Sequence, residues 1–238
     1  MTTATAAHDL APVLFRLLSL ALAPPTDERM QEAADLAAAA AVLEGAPDGL
    51  DALASLADST PLEDVEAAYE RLFGGAVAIS PYEGSYELDP FRQARQIADV
   101  AGFYRAFGAD AHGPAAERPD HAGCELEFLA FLAARRLGAE ATGAGDDAER
   151  CREIEEMFLR DHAGRWLPPF LRAVAAADPG GVHGAAARLG VAWLEAELAR
   201  RGVEPAPAAP RAGRLPVEAD ELACGGDSGK NDLPSRVS

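Results

Sequence analysis

STPLEDVEAAYERLFGG, residues 59–75, reads as one complete helix with its own start and stop. Thr60 is placed to cap it, Pro61 falls in the first turn, and Glu63 would close a capping box. Val65, Ala68, Tyr69, Leu72 and Phe73 recur at helical spacing and make a single apolar face. Gly74-Gly75 supplies the stop. Nothing in the stretch alternates apolar and polar residues as a half-buried strand does.

The same pattern repeats outward in both directions. Leu10, Val13, Leu14, Leu17, Leu18 and Ala21 predict a first helix over 8–23, ended by Pro24-Pro25. Thr26 caps a second that runs to about Glu44 and stops at Gly45, and a short helix is expected over 48–58. AVAISPYEGSYELD, residues 76–89, is a loop rich in Pro, Gly and Tyr. Asp89-Pro90 restarts a helix to Gly108, with Phe91, Ile97, Ala101 and Tyr104 inward. GADAHGPAAERP, residues 108–119, is the clearest boundary and is expected to be a hinge between two helical halves.

Asp120 then caps a helix over 121–137, with Leu126, Leu129, Ala130 and Ala133 inward. TGAGDD is a turn. A helix from about Asp147 to His162 carries Cys151, Ile154 and Phe158 on one face. Trp166–Ala177 and Val182–Arg201 complete the set. After Gly202 the chain is Pro-, Gly- and Ala-rich without periodicity, so 1–202 reads as the helical domain and 203–238 as a flexible tail. An all-α protein follows.

Composition narrows the function. The 238 residues are 49% apolar, much of it alanine, and carry a formal net charge of -18. That balance argues against nucleic acid, whose phosphates want a basic footprint, and favours a basic ligand such as an Arg-rich peptide. Three cysteines, Cys124, Cys151 and Cys224, are widely spaced, with no CxxC pair for zinc and no disulfide framework. The apolar run near the N-terminus has no basic residue ahead of it and is broken by Pro12 and Arg16. A soluble cytoplasmic protein without a membrane span is expected.

Four kinds of site compete. His121 and Glu125 stand at i, i+4, and Asp161 and His162 form a second polar pair, so a metal or an activated water is conceivable. A small metal-dependent hydrolase using His121, Glu125 and His162 is therefore the enzyme alternative, although no HExxH is present. GGDSGKN, residues 225–231, fails as a phosphate loop: its first glycine is one residue too close, Asn231 replaces Ser/Thr, and no strand precedes it. Cys124 lies near a helix N-terminus, where a thiolate is favoured, but it equally suits a small packing residue. Tyr69, Leu72 and Phe73, the loop residues Tyr82, Glu83 and Tyr86, and the carboxylates Glu117 and Asp120 suit a peptide that combines arginines with apolar residues, although Leu72 and Phe73 read at least as well as core.

YERLFGG, then SPYEGSY, then ERPDHAGCELEFLAFL, then FLRDHAGRWLPPFLRAV together resemble the TorD/DmsD/NarJ family of redox-enzyme maturation chaperones. His162, Trp166, Pro168 and Phe170 keep the family's H-x-x-x-W-x-P-x-F. Leu129 stands where the family often has Met, and YEGSY replaces the common YESVY, which moves the serine to position 85. The resemblance implies a TorD-like helical bundle of about nine to eleven helices. It implies a cytoplasmic chaperone that binds the twin-arginine signal peptide of a molybdoenzyme catalytic subunit and assists its folding, cofactor insertion and export proofreading. It implies no turnover and no cofactor or metal of its own. The partner would be the client's signal peptide and apo-protein, with the chaperone a monomer or homodimer. Carried onto this chain, the binding residues are Tyr69, Leu72, Phe73, Tyr82, Glu83, Tyr86, Glu117, Asp120 and His121.

Overall fold

The computed structural model describes residues 9–74, 79–109 and 117–206. Nine α-helices appear among them: α1 Ala11–Leu22, α2 Asp27–Ala41, α3 Leu50–Ser59, α4 Leu62–Phe73, α5 Pro90–Ala106, α6 Ala122–Thr142, α7 Gly145–Phe158, α8 Gly164–Ala177 and α9 Val182–Arg201. A 3₁₀ turn spans Glu83–Tyr86, and a π turn, Leu159–Ala163, joins α7 to α8 without a break. Counted as separate rods there are eight, slightly fewer than expected, because the loop anticipated between α7 and α8 is helical.

Helix α1 is the centre of the bundle. Leu14, Phe15, Leu17, Leu18, Ala21 and Leu22 are fully buried, so the helix is apolar nearly all round, as a core helix must be. It packs against α2, α6 and α9, while α2 pairs with α3, α6 with α7, and α8 with α9. Each buried leucine contributes about 1.5–3 kcal/mol. Close approach is visible at Gly190 on α9: a Cβ there would stand 2.9 Å from a Leu18 methyl, which would have to shift to admit it.

Charge is buried at one end of this core. Arg136 on α6 donates to Asp9 at 2.6 Å, to Glu155 at 3.0 Å and to Glu140 at 3.2 Å. Arg201, at the end of α9, donates to Glu155 at 2.7 Å and to Glu197 at 2.6 Å. Glu155 is fully buried and takes both guanidiniums, so α6, α7 and α9 are locked by one carboxylate. Gly143 and Gly202 end α6 and α9 in the left-handed region, at φ 76° and 66°.

Several local expectations are corrected. Thr60 does not cap α4: its amide closes α3 on Leu56 at 3.0 Å, and Pro61 stands at the N-cap without a side-chain bond. The α3–α4 junction is so short that the threonine is used up by the helix before it. Asp120 does not cap α6 either. The chain there is drawn into an antiparallel bridge, Glu83 N to Asp120 O at 2.9 Å and Ala122 N to Pro81 O at 2.8 Å. The cap moves to His121, whose Nδ1 accepts from Gly123 N at 3.0 Å. Phe91 is 88% exposed rather than inward, because α5 leans on the 3₁₀ turn and buries only Val100 and Tyr104. After Gly202, Ala206 N binds Arg160 O at 3.1 Å and Val203 packs on the core, so the chain is docked as far as it is described. Residues 110–116 of the expected hinge and 207–238 of the expected tail, with Cys224 and GGDSGKN, lie outside the described residues.

Candidate functional site

The bridge between Tyr82 and His121 sorts the predicted residues into two groups. Extended backbone at Tyr82, followed at once by the 3₁₀ turn, sends neighbouring side chains in opposite directions. Tyr82 stays at the surface. Glu83 turns inward, 2% exposed, with Oε2 3.1 Å from His162 Nδ1 and Oε1 3.4 Å from Gln96. Tyr86 is also buried, its ring centroid 5.3 Å from that of Trp166 and its hydroxyl donating to Ser80 O at 3.3 Å. Leu72 and Phe73 are core as well: Phe73 lies against Phe170 and His183, so neither offers a surface.

The other group comes together. The Tyr82 hydroxyl donates to Glu117 Oε1 at 2.8 Å, and the Arg118 amide donates to the same oxygen at 3.1 Å. The Arg118 guanidinium lies 4.5 Å over the Tyr82 ring and forks onto Asp120, Nε to Oδ1 at 3.0 Å and a terminal nitrogen to Oδ2 at 2.8 Å. Asp120 is completely buried and also accepts from Gly84 N at 3.1 Å. The His121 ring meets Tyr82 edge to face with centroids 5.2 Å apart. Tyr69 is half-buried nearby, its ring against Phe73 at 4.9 Å, and burial and then the Glu117 charge raise its phenol.

Electrostatics makes this group an acceptor. Burial works to raise the Glu117 carboxyl, but the bonds from Tyr82 and the Arg118 amide outweigh it and hold the acid below its usual range. Tyr82 is pushed up to about 12, first by burial and then by that same bond. Burial lowers His121 to about 4, so it is neutral at pH 7. Because its Nδ1 accepts from Gly123, its proton sits on Nε2, which has no partner among the described residues. Cys124 is pushed up to about 12 by burial and the surrounding carboxylates, so its thiol is inert at neutral pH.

Beside this group lies a cavity of ≈ 470 Å³ lined by Tyr104, Gly108, Ala109, Cys124, Glu127, Phe128 and Phe131. The Tyr104 hydroxyl ties its wall to the acidic loop through Pro119 O at 2.7 Å. Phe131 is 39% exposed. Phe131 and Arg118 are not among the residues the sequence pattern singles out: Phe131 is an aromatic off the inward face of α6, and a lone arginine between acidic residues carries no sequence signal for an arginine seat.

The residues of the hydrolase alternative do not converge. His121 leaves the helix face to act as a cap, while Glu125 is fully buried and accepts from Trp166 Nε1 at 3.0 Å. Its carboxyl is raised well above the usual range by burial and then by Glu83. His162 is held by Glu83 on one side and Asp99, 3.3 Å away, on the other. Among the described residues no three His, Cys, Asp or Glu side chains are grouped to hold a metal, and no helix is long and apolar enough to cross a membrane.

Comparison with known proteins points the same way. Among curated proteins, the selenate reductase assembly chaperone protein of Thauera selenatis is 37% identical over 119 residues, 49% of this chain and 60% of that one. The chlorate reductase assembly chaperone protein of Ideonella dechloratans is 34% identical over 119 residues, with the same coverage. Chaperone protein TorD of Aeromonas salmonicida is 35% identical over 123 residues, 52% of this chain and 54% of that one. The matched region thus spans little more than half the length of these relatives. The crystal structure of a candidate redox enzyme maturation protein from Archaeoglobus fulgidus shares the fold, with TM-score 0.56 over 82% of this chain and 98% of that one at 20% identity. The family described as nitrate reductase delta subunit matches residues 27–172, more than half of the sequence. The curated relatives are named as chaperones, and the resemblance to TorD/DmsD/NarJ is upheld: the chain belongs to the nitrate reductase delta subunit family.

Proposed function

We propose that this protein is a cytoplasmic assembly chaperone for a molybdenum-dependent redox enzyme, and that it binds the twin-arginine signal peptide of the client's catalytic subunit. The peptide's arginines pair with Glu117 and Asp120 beside the Tyr82 ring, and its apolar stretch lies in the cavity walled by Phe128 and Phe131. Binding holds the subunit back from export while it folds and receives its cofactor. The names of the relatives support the chaperone role.

The observation that carries the peptide reading is the seat of Arg118. A guanidinium already lies over Tyr82 and forks onto Asp120, so the surface has the planar, stacked and bidentate geometry that arginine recognition requires. Glu117 Oε2 has no hydrogen bond among the described residues and is available to a second guanidinium.

Calorimetric titration with a twin-arginine leader peptide and its Lys-Lys version tests this. The native peptide binds at least tenfold more tightly, and Glu117→Gln loses most of that preference. Asp35→Asn, in the acidic groove beside α2, leaves it unchanged. Equal affinity for the two peptides would overturn the reading.

A further inference from the structure

Asp120 is 0% exposed, yet the Arg118 side chain that covers it keeps 46% of its surface in solvent. One member of the ion pair is therefore fixed and the other is peripheral. Asp120 does not need Arg118 to hold its place: Gly84 N donates to its carboxylate, and its carbonyl accepts from Glu83 N. Arg118 sits two residues away on an irregular segment, and among the described residues its side chain hydrogen-bonds to Asp120 alone. Its guanidinium fills the seat that an incoming arginine would need. In the same cluster the His121 Nε2 proton, on a side chain 1% exposed, has no acceptor among the described residues. A neutral, buried donor without an acceptor suits a carbonyl from outside the chain, such as a peptide backbone.

We infer that Arg118 is a placeholder for an arginine of the bound peptide, displaced when the peptide docks. This rests on the reading of the site as an arginine-peptide receptor. In the free protein Arg118 neutralises Asp120 and covers it. On binding, Arg118 swings into solvent, the ligand's guanidinium takes the Tyr82–Asp120 seat, and the ligand's backbone carbonyl reaches His121. One bidentate pair is exchanged for an equivalent one, so this contact adds little affinity. The placeholder's cost falls on every ligand alike: the seat is open only in the fraction of molecules whose Arg118 has swung away, so any peptide that needs it binds more weakly by that fraction, while the fork and stack of the seat itself decide between arginine and lysine.

The test compares wild type, Arg118→Gln and Arg118→Lys for binding of the Arg-Arg and Lys-Lys leader peptides, with thermal melts of each. Arg118→Gln is expected to bind the Arg-Arg and the Lys-Lys peptides each about tenfold more tightly, leaving the ratio between them unchanged. Arg118→Lys falls between the two because it keeps the charge without the fork. Were Arg118→Gln to bind the Arg-Arg peptide no better than wild type while melting at the same temperature, the placeholder would be refuted and the receptor reading would stand. If Arg118→Gln melts lower, Arg118→Lys decides by the same criterion. Binding by Arg118→Gln alone would support the placeholder in its strongest form, and binding by none of the three would overturn receptor and placeholder together.

Discussion

Tyr82 and His121 form an antiparallel bridge and also meet through their side chains, the two rings edge to face. One contact fixes two segments far apart in sequence. It sets the loop before α5 against the start of α6, brings Glu117 within reach of the Tyr82 hydroxyl, and turns Glu83 into the bundle to meet His162. The surface half and the core half of the site are therefore built by the same pairing. Binding and stability can be separated by choosing which half to change.

Tyr82→Ala removes the face on which a guanidinium stacks. In the Arg118→Gln background, where no guanidinium of the chain competes for the ring, affinity for an arginine-bearing leader should fall about tenfold, in line with a cation–π contact of about 1–2 kcal/mol. Folding stability should change by less than about 1 kcal/mol, since the ring is only partly buried. Tyr82→Phe keeps the stack and loses only the bond to Glu117, so its affinity should lie close to wild type. Peptide titration and urea unfolding on the same samples check both statements.

Asp120→Ala acts on the other half. It strands the Gly84 amide, releases Arg118 and empties a fully buried position. The expected loss is about 2–4 kcal/mol of stability, read as a lower urea midpoint. That exceeds the loss of about 1 kcal/mol that a simple helix cap would give. Asp120→Asn retains an acceptor for Gly84 and should recover part of the difference.

Glu125 makes a prediction with a definite sign. Its carboxyl is raised in the folded state, first by burial and then by Glu83. The native protein therefore keeps this proton after the unfolded chain has released its own near 4.5. The group's contribution is complete below that value and is lost as pH rises toward the folded pKa. Glu125→Gln can still accept from Trp166 and has no proton to lose. Its stability advantage over wild type should grow between pH 5 and pH 8 in urea titrations; a constant difference would show that Glu125 is not protonated in the native state.

Glu155→Ala should cost about 3–5 kcal/mol, because it leaves Arg136 and Arg201 without their shared buried partner. The variant should lower the melting temperature without altering leader-peptide affinity. That outcome would separate the buried charge network from the binding surface.

Much of the fold was legible because the signals are local. Thr26, Asp89-Pro90 and Gly202 act where the sequence places them, Thr26 accepting from Arg29 N and Asp89 from Phe91 N. Leu126, Leu129, Ala130 and Ala133 are inward as periodicity predicts. The site was less legible because its geometry depends on a partner segment. Periodicity groups Leu72 and Phe73 on one face but does not say that Phe170 and His183 cover it. Nothing near Tyr82 in sequence shows that it faces out while Glu83 and Tyr86 face in. Only the bridge to His121 decides that.

The π turn at Leu159–Ala163 acts as a phase correction. Along α7 the buried positions are Ala148, Cys151, Glu155 and Phe158, an alternation of three and four. Continued unchanged at about 100° per residue, that face would carry Pro169 inward and leave Leu171 on the far side. The wider turn slips the count by one residue, and the reverse is found: Pro169 is exposed, while Leu171 is buried with Trp166 and Phe170. Two out-of-step stripes thus share one axis. Removing a single residue from this turn would not merely shorten the rod; it would rotate α8 by about 100° on its axis while leaving α7 in place.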